Sequence, residues 1–255
     1  MATQPFNSIL RFSKSVLNEL VIAWRENGQK PVSVNTYLTF LNAFLRWLHE
    51  EEHIKDLLIV KKLRVEQNVY KVFTITHMKI IVNHKPKNFY ERRMQTALLL
   101  LLDTGLKIDE CLLLKLPDVL LDQLYVIVMG KGGKERIVPF SNPLRRTLHL
   151  YLKERKQPGD YVFATGTGGR VSQRNFLRDM KTFCSKLGIE GIRISPHTLR
   201  HSFAIYYLGN GGDLFTLSKI LGHTSISTTQ IYLRSISVDQ IRESHARLSP
   251  LSRLK

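Results

Sequence analysis

"SPHTLRHSFAIYYLGNGGDLFTLSKILGHTSISTTQIYL" occupies Ser195–Leu233 and holds three His, one Arg and three Tyr. Ser195-Pro196 is a helix start, with Ser as N-cap and Pro at the first helical position. The helix runs to Leu208, where Gly209 stops it. His197, Arg200 and His201 stand at i, i+3 and i+4 and therefore share a face. Asp213 caps a second helix carrying Leu214, Leu217, Ile220 and Leu221, and Gly222 ends it directly before His223. Ser225 is the expected cap of a third helix, with Tyr232 about two turns in. His197-x-x-x-His201 has the spacing of a two-His metal pair. It lacks the Glu of HExxH, and Arg200 beside it repels a cation, so no metal is expected. Taken singly, each His reads as an ordinary polar residue of a routine helix.

Charge narrows the choice of partner. The 255 residues carry 38 Lys+Arg against 21 Asp+Glu, a net charge of +17. An excess that large points to a polyanion, with nucleic acid the default; a merely basic protein is the bland alternative. Cys111 and Cys184 sit in apolar stretches outside any CxxC pattern, which fits a reducing compartment and no disulfide framework. The longest wholly apolar run, "ALLLLL" (Ala97–Leu102), is too short to span a bilayer. No signal-peptide core is visible at the N-terminus, so a soluble, cytoplasmic protein is expected.

Outward from the opening stretch the chain is mainly α with a small β-hairpin. Ile9, Phe12, Val16, Leu20 and Trp24 recur at helical spacing, and Asn27-Gly28 is a stop. Val34, Tyr37, Leu38, Leu41, Phe44, Leu45 and Leu48 form the stripe of a second helix. Two helices bury both stripes poorly, so a further short helix is expected with them. The basic stretch Val60–Val72 reads as an extended linker lying on phosphates, and Thr74 or Thr76 as the next cap. A buried helix, a turn at Thr104-Gly105 and another helix follow. "QLYVIVMGKGGKERIVPF" then gives two β-rich runs around Gly130–Gly133, a hairpin. "GKGGK" joins two strands and lacks P-loop spacing, so no nucleotide cofactor is expected. Helix resumes from Pro143, interrupted by the glycine-rich Ala164–Arg170.

The combined pattern resembles the catalytic half of the tyrosine recombinases, the phage integrase family. It consists of "HTLRH", then "LGH" with its His 23 residues after Arg200, then Tyr232 nine residues after His223. "TGLKIDECLLLKLPDV" (Thr104–Val119) resembles the family's first arginine box, and "GKGGKERIVPF" (Gly130–Phe140) its hairpin with a catalytic Lys. The likeness spans roughly residues 75 to 240 and implies a helical, DNA-clamping core-binding domain (1–66), a linker (67–74) and an α+β catalytic domain (75–255). By resemblance, Tyr232 attacks a DNA phosphorus and forms a 3′-phosphotyrosyl link. Arg200 grips the non-bridging oxygens, His197 donates to or exchanges a proton with the same phosphate, His223 adds a hydrogen bond there and helps seat the tyrosine helix, and Lys131 protonates the 5′-oxygen. Lys134 and Arg136 read as a solvated basic turn or plain phosphate contacts.

One position departs from the family. Where its first box carries Arg, this chain carries Lys107, while Glu110 keeps the pattern. Lys retains the charge but loses the planar fork. Loss of one well-placed donor costs about 3 kcal/mol, roughly a hundredfold in rate. Lys107 is thus an engineered trap, a slow natural variant, or the mark of a relative that binds without cutting; an attenuated enzyme is the reading preferred. The expected function is site-specific recombination on double-stranded DNA by a homo-oligomer, four protomers in the working synapse. Alternatives are a non-catalytic DNA-binding relative and a type IB topoisomerase. The tail Ser237–Lys255 is expected either to dock on a neighbouring protomer or to fray. Without an arm-binding segment, the chain reads as a minimal or truncated form.

Overall fold

The computed structural model describes residues 13–65, 71–130, 133, 135–236 and 238–253. The chain divides into two compact units, Met1–Asn68 and Val69–Lys255. Among the described residues no helix is long and apolar enough to cross a membrane.

The first unit pairs α1 (Lys14–Glu26) with α2 (Pro31–Glu50). Ser13 caps α1 by accepting the Val16 amide at 3.4 Å, and Pro31 opens α2. The core holds Leu17, Val21, Val34, Leu38, Leu45, Leu48 and Val60, with Trp24 packed against it. The face of α1 differs from expectation. Val16 and Leu20 are exposed; Leu17 and Val21, one residue on from each, face the core, and Trp24 of the expected row packs against them. Both rows are apolar, so periodicity alone does not choose between them. Ile9 and Phe12 lie outside the described residues. The expected third helix is absent from residues 51–65. Two asparagines of α2 hold this strip by its backbone instead. The Asn42 amide donates to the Val60 carbonyl and accepts its N–H, both at 2.9 Å. Asn35 does the same for Leu63, at 2.9 and 2.7 Å. Val60, read as the start of a linker, is therefore core.

The second unit is built around α4 (Phe89–Thr104), with α3 (Ile75–Asn83), α6 (Asn142–Glu154), α7 (Gln173–Lys186) and α8 (Pro196–Gly209) packed against it. Thr74 is the cap of α3, accepting the His77 amide at 3.2 Å. Between α4 and α6 lie α5 (Ile108–Leu113) and a three-stranded antiparallel sheet in the order β1 (Val119–Leu120), β2 (Tyr125–Met129), β3 (Glu135–Pro139). Tyr125 pairs with Pro139 and Met129 with Glu135, the expected hairpin with one short strand added. Phe89, Tyr151 and Phe163 stack at 5.4 and 5.5 Å in the core, and the Tyr151 hydroxyl donates to the Val162 carbonyl at 2.8 Å. Cys111 and Cys184 are buried and unbridged.

A smaller cluster joins α8 to α9 (Leu214–Leu221) and to the turn carrying Tyr232, through Ala204, Ile205, Leu208, Leu217 and Leu221. A one-turn α10 (Ser227–Gln230) runs into a 3-10 turn, Ile231–Ser235. The tail forms α11 (Val238–Leu248), which packs on α8 of its own chain: Arg247 donates to the Asn210 carbonyl at 2.6 Å.

Candidate active site

Arg200 is the centre of the site, and the start of α8 puts it there. Ser195 caps the helix by accepting the Thr198 amide at 3.2 Å, with Pro196 in the first turn. One turn on, Arg200 is buried with 6% exposure. Its guanidinium donates to the Gly105 carbonyl at 2.6 Å and the Leu221 carbonyl at 2.8 Å. Those carbonyls close α4 and α9, so one side chain ties three helices together. The tie requires glycine at 105. Its φ is +64°, and a Cβ there would lie 2.3 Å from the Phe203 ring.

His223 follows from the end of α9. Gly222 takes φ +67° and turns the chain so that His223 meets Arg200. Its Nε2 lies 2.9 Å from an Arg200 nitrogen, and its Nδ1 lies 2.8 Å from the Thr229 hydroxyl. A guanidinium only donates, so Nε2 accepts and the ring's proton sits on Nδ1. Burial is the largest cause pushing the His223 pKa down to about 4; Arg200, Lys107 and Arg136 add to it, and Glu110 opposes. The ring is neutral near neutral pH. Its folded pKa lies below the ordinary 6.5, so the unfolded chain takes up the proton first. Its contribution to stability is present above about pH 6.5 and is lost as pH falls through about 4. His223→Gln is expected to flatten the acid limb of stability measured by denaturant unfolding; an unchanged slope contradicts this.

Lys107 is exposed at the N-cap of α5, and its amide donates to Glu110 Oε2 at 2.8 Å. Both Glu110 oxygens take the Arg136 fork, each at 2.8 Å, and Arg136 Nε donates to the Ile220 carbonyl at 3.0 Å. Burial raises the Glu110 pKa, but the bonds from Arg136 and the Lys107 amide outweigh it and hold the carboxyl below its usual value. Arg136 is therefore no solvated turn residue: its side chain is 14% exposed. Strand periodicity carried that signal, since Arg136 shares a face of β3 with buried Val138. Lys107, Glu110, Arg136, Lys219, Gly222 and His223 line a concave pocket of about 460 Å³. Glu110 neutralises Arg136 there and Glu135 also lines the pocket, so Lys107 and Lys219 are what it offers an oxyanion.

Tyr232 differs from expectation in its local structure. Ser225 caps no long helix; its hydroxyl accepts the Ser227 amide at 3.3 Å, and α10 lasts four residues. Ser and Thr are weak helix formers, and "SISTT" yields one turn that tightens into the 3-10 turn. Tyr232 sits on that turn with 2% exposure. Its hydroxyl lies 3.1 Å from His201 Nδ1, and Tyr232 is near enough to Arg200 to oppose the lowering of that residue's pKa by burial. Arg200, His223 and Tyr232 thus converge, and Lys107 is close enough to act on His223. His197 is exposed one turn before Arg200 and close enough to His201 to lower its pKa. Lys131 and Lys134 lie outside the described residues. His201 and Thr229 had no assigned role in the sequence. For His201 a signal exists: it shares a stripe with Ala204, Ile205 and Leu208, which are buried.

Several known proteins are similar to this chain. The model of the phage integrase family matches residues 71–237. Tyrosine recombinase XerD of Listeria innocua is 34% identical over 218 residues, covering 82% of this chain and 73% of that protein. Tyrosine recombinase XerA of Thermococcus kodakarensis is 31% identical over 234 residues, 90% of this chain and 80% of that one. In fold, the chain is similar to XerH site-specific recombinase bound to its palindromic difH substrate in a post-cleavage complex. There the TM-score is 0.75 at 19% identity, over 95% of this chain and 74% of that one. It is similar too to the Tn1549 transposon integrase in complex with transposon right end DNA. That TM-score is 0.76 at 18% identity, over 97% and 88%.

Proposed function

Because the chain belongs to the phage integrase family, we propose that it is a site-specific DNA recombinase that cuts and rejoins strands through a 3′-phosphotyrosyl intermediate. The observation that carries this reading is the buried Arg200, which hydrogen-bonds His223 and lies near enough to Tyr232 for the two to interact electrostatically. A phosphate gripped by Arg200 is within reach of a phenolic nucleophile. Tyr232 attacks phosphorus, and the bond to the 5′-oxygen breaks. Lys131 gives that oxygen a proton. Arg200, Lys107, His197 and neutral His223 stabilise the charge gathering on the non-bridging oxygens. Conserving bond energy in the tyrosyl ester lets the reverse attack by a 5′-hydroxyl reseal DNA without ATP.

The partner is double-stranded DNA, held through the net charge of +17, so affinity falls steeply with salt. A homo-oligomer, tetrameric at the synapse, fits the family. The test is incubation with a pool of randomised nicked duplexes, followed by a denaturing gel. A covalent adduct is expected. Duplex binding with no adduct favours the non-catalytic DNA-binding relative. Relaxation of any supercoiled plasmid by a monomer favours a type IB topoisomerase.

Lys107 sets the rate. Its ammonium is a point charge where a fork would hold two oxygens. Lys107→Arg is expected to raise single-turnover cleavage by about a hundredfold, the worth of one such donor. Equal rates for the two proteins would remove attenuation from the account.

A further inference from the structure

We propose that Arg136 is a positioning residue: it docks the β-hairpin on the site so that Lys131 can serve the 5′-oxygen. The inference rests on the recombinase reading above and adds a residue to it. Val128 and Arg136 face each other across β2 and β3. Val128 is buried, and the Arg136 side chain is 14% exposed. One residue nearer the connection, Met129 and Glu135 are exposed. Among the described residues Arg136 is therefore the last tethered side chain of β3 before the connection that carries Lys131.

Its tethers reach two elements of the site. The terminal nitrogens meet the two Glu110 oxygens on α5, each at 2.8 Å, and Nε donates to the Ile220 carbonyl at 3.0 Å. The last carbonyls of a helix have no partner within it. At the end of α9 two neighbouring ones are taken by two arginines, Ile220 by Arg136 and Leu221 by Arg200. The hairpin and the centre of the site are thus referred to the same turn of backbone. Gly222 keeps that approach open, since a Cβ there would lie 2.9 Å from the Arg136 guanidinium. The buried pair adds little to stability, because desolvating both charges offsets their attraction. What it fixes is place. The other two elements have second ties: Glu110 also accepts the Lys107 amide at 2.8 Å, and Arg200 holds Leu221. Without Arg136 the hairpin is what comes loose.

The step affected is proton delivery. The Tyr232 oxygen bonds to phosphorus, the bond to the 5′-oxygen breaks, and that oxygen takes a proton from the Lys131 ammonium. Sulfur in its place leaves as a thiolate, a thiol's pKa being about 8.5, and needs no acid. The test uses a duplex enriched from the randomised pool by covalent capture on the unaltered chain, made with oxygen or sulfur at the bridging 5′ position. On oxygen, Arg136→Gln is expected to lower single-turnover cleavage about a hundredfold, the worth of a general acid. On sulfur it is expected to cleave within about threefold of the unaltered chain, which also shows that its site is folded. Lys131→Ala is expected to show the same split, and the double variant to be no slower than Lys131→Ala, because one residue acts through the other. Arg136→Lys, which keeps the charge but not the fork, is expected to show the split at smaller amplitude. Equal losses on both duplexes in both Arg136 variants make Arg136 a general brace and overturn the proposal. Losses that multiply in the double variant, or an unaltered rate on oxygen, overturn it too. An unaltered chain that captures no duplex sinks the recombinase reading itself, a distinguishable result.

Discussion

Tyr232→Phe is expected to form no covalent complex with DNA while binding duplex as well as the unaltered chain. The phenolic oxygen is the only atom removed, and in the mechanism above it is the one that bonds to phosphorus. Packing changes little, because the ring stays in the buried cluster of Ala204, Ile205, Leu208, Leu217 and Leu221. The hydroxyl leaves behind its hydrogen bond with His201 Nδ1, a loss of about 1 kcal/mol in stability. Activity and stability therefore separate. A Phe variant that cleaves would show that Tyr232 is a core residue and that the nucleophile lies elsewhere.

Arg200→Ala combines two losses. The phosphate loses its planar donor, which is expected to lower cleavage on the order of a thousandfold. The fold loses a brace as well. The Gly105 and Leu221 carbonyls and His223 Nε2 all lose the donor they share. Leaving buried acceptors without partners costs about 1–3 kcal/mol each, so the midpoint in denaturant should drop visibly. Arg200→Lys separates the effects: the charge stays, but one ammonium cannot reach the same partners in the same plane. It is expected to bind DNA nearly normally and to cleave poorly. Full activity in the Lys variant would mean that the fork is dispensable.

The frame of the site was legible because helix punctuation is local. Ser195-Pro196, Gly105 and Gly222 act through φ and capping, and each falls where the sequence places it. That Arg200, His223 and Tyr232 belong to one site is what the family resemblance implies; helix periodicity alone leaves each an ordinary residue. What spacing misses is chosen by tertiary packing. Two apolar rows compete on α1, and only the fold selects Leu17 and Val21 over Val16 and Leu20. Asn35 and Asn42 look like surface residues of a helix, yet they hold the backbone at Leu63 and Val60, where the sequence reads as linker. Arg136 reads as one more cation near a hairpin tip until Glu110, 26 residues away in sequence, supplies its partner. The pairing of His201 with Tyr232 spans 31 residues, and no pattern within α8 announces it.

The most direct measurement is tandem mass spectrometry of the adduct left after nuclease trimming. The chain would be trapped on nicked duplex and digested, and the modified peptide sequenced. One nucleotide-bearing residue is expected, Tyr232, joined through its oxygen to a 3′-phosphate. A modified residue elsewhere, or a 5′-phosphate on Tyr232, would contradict it.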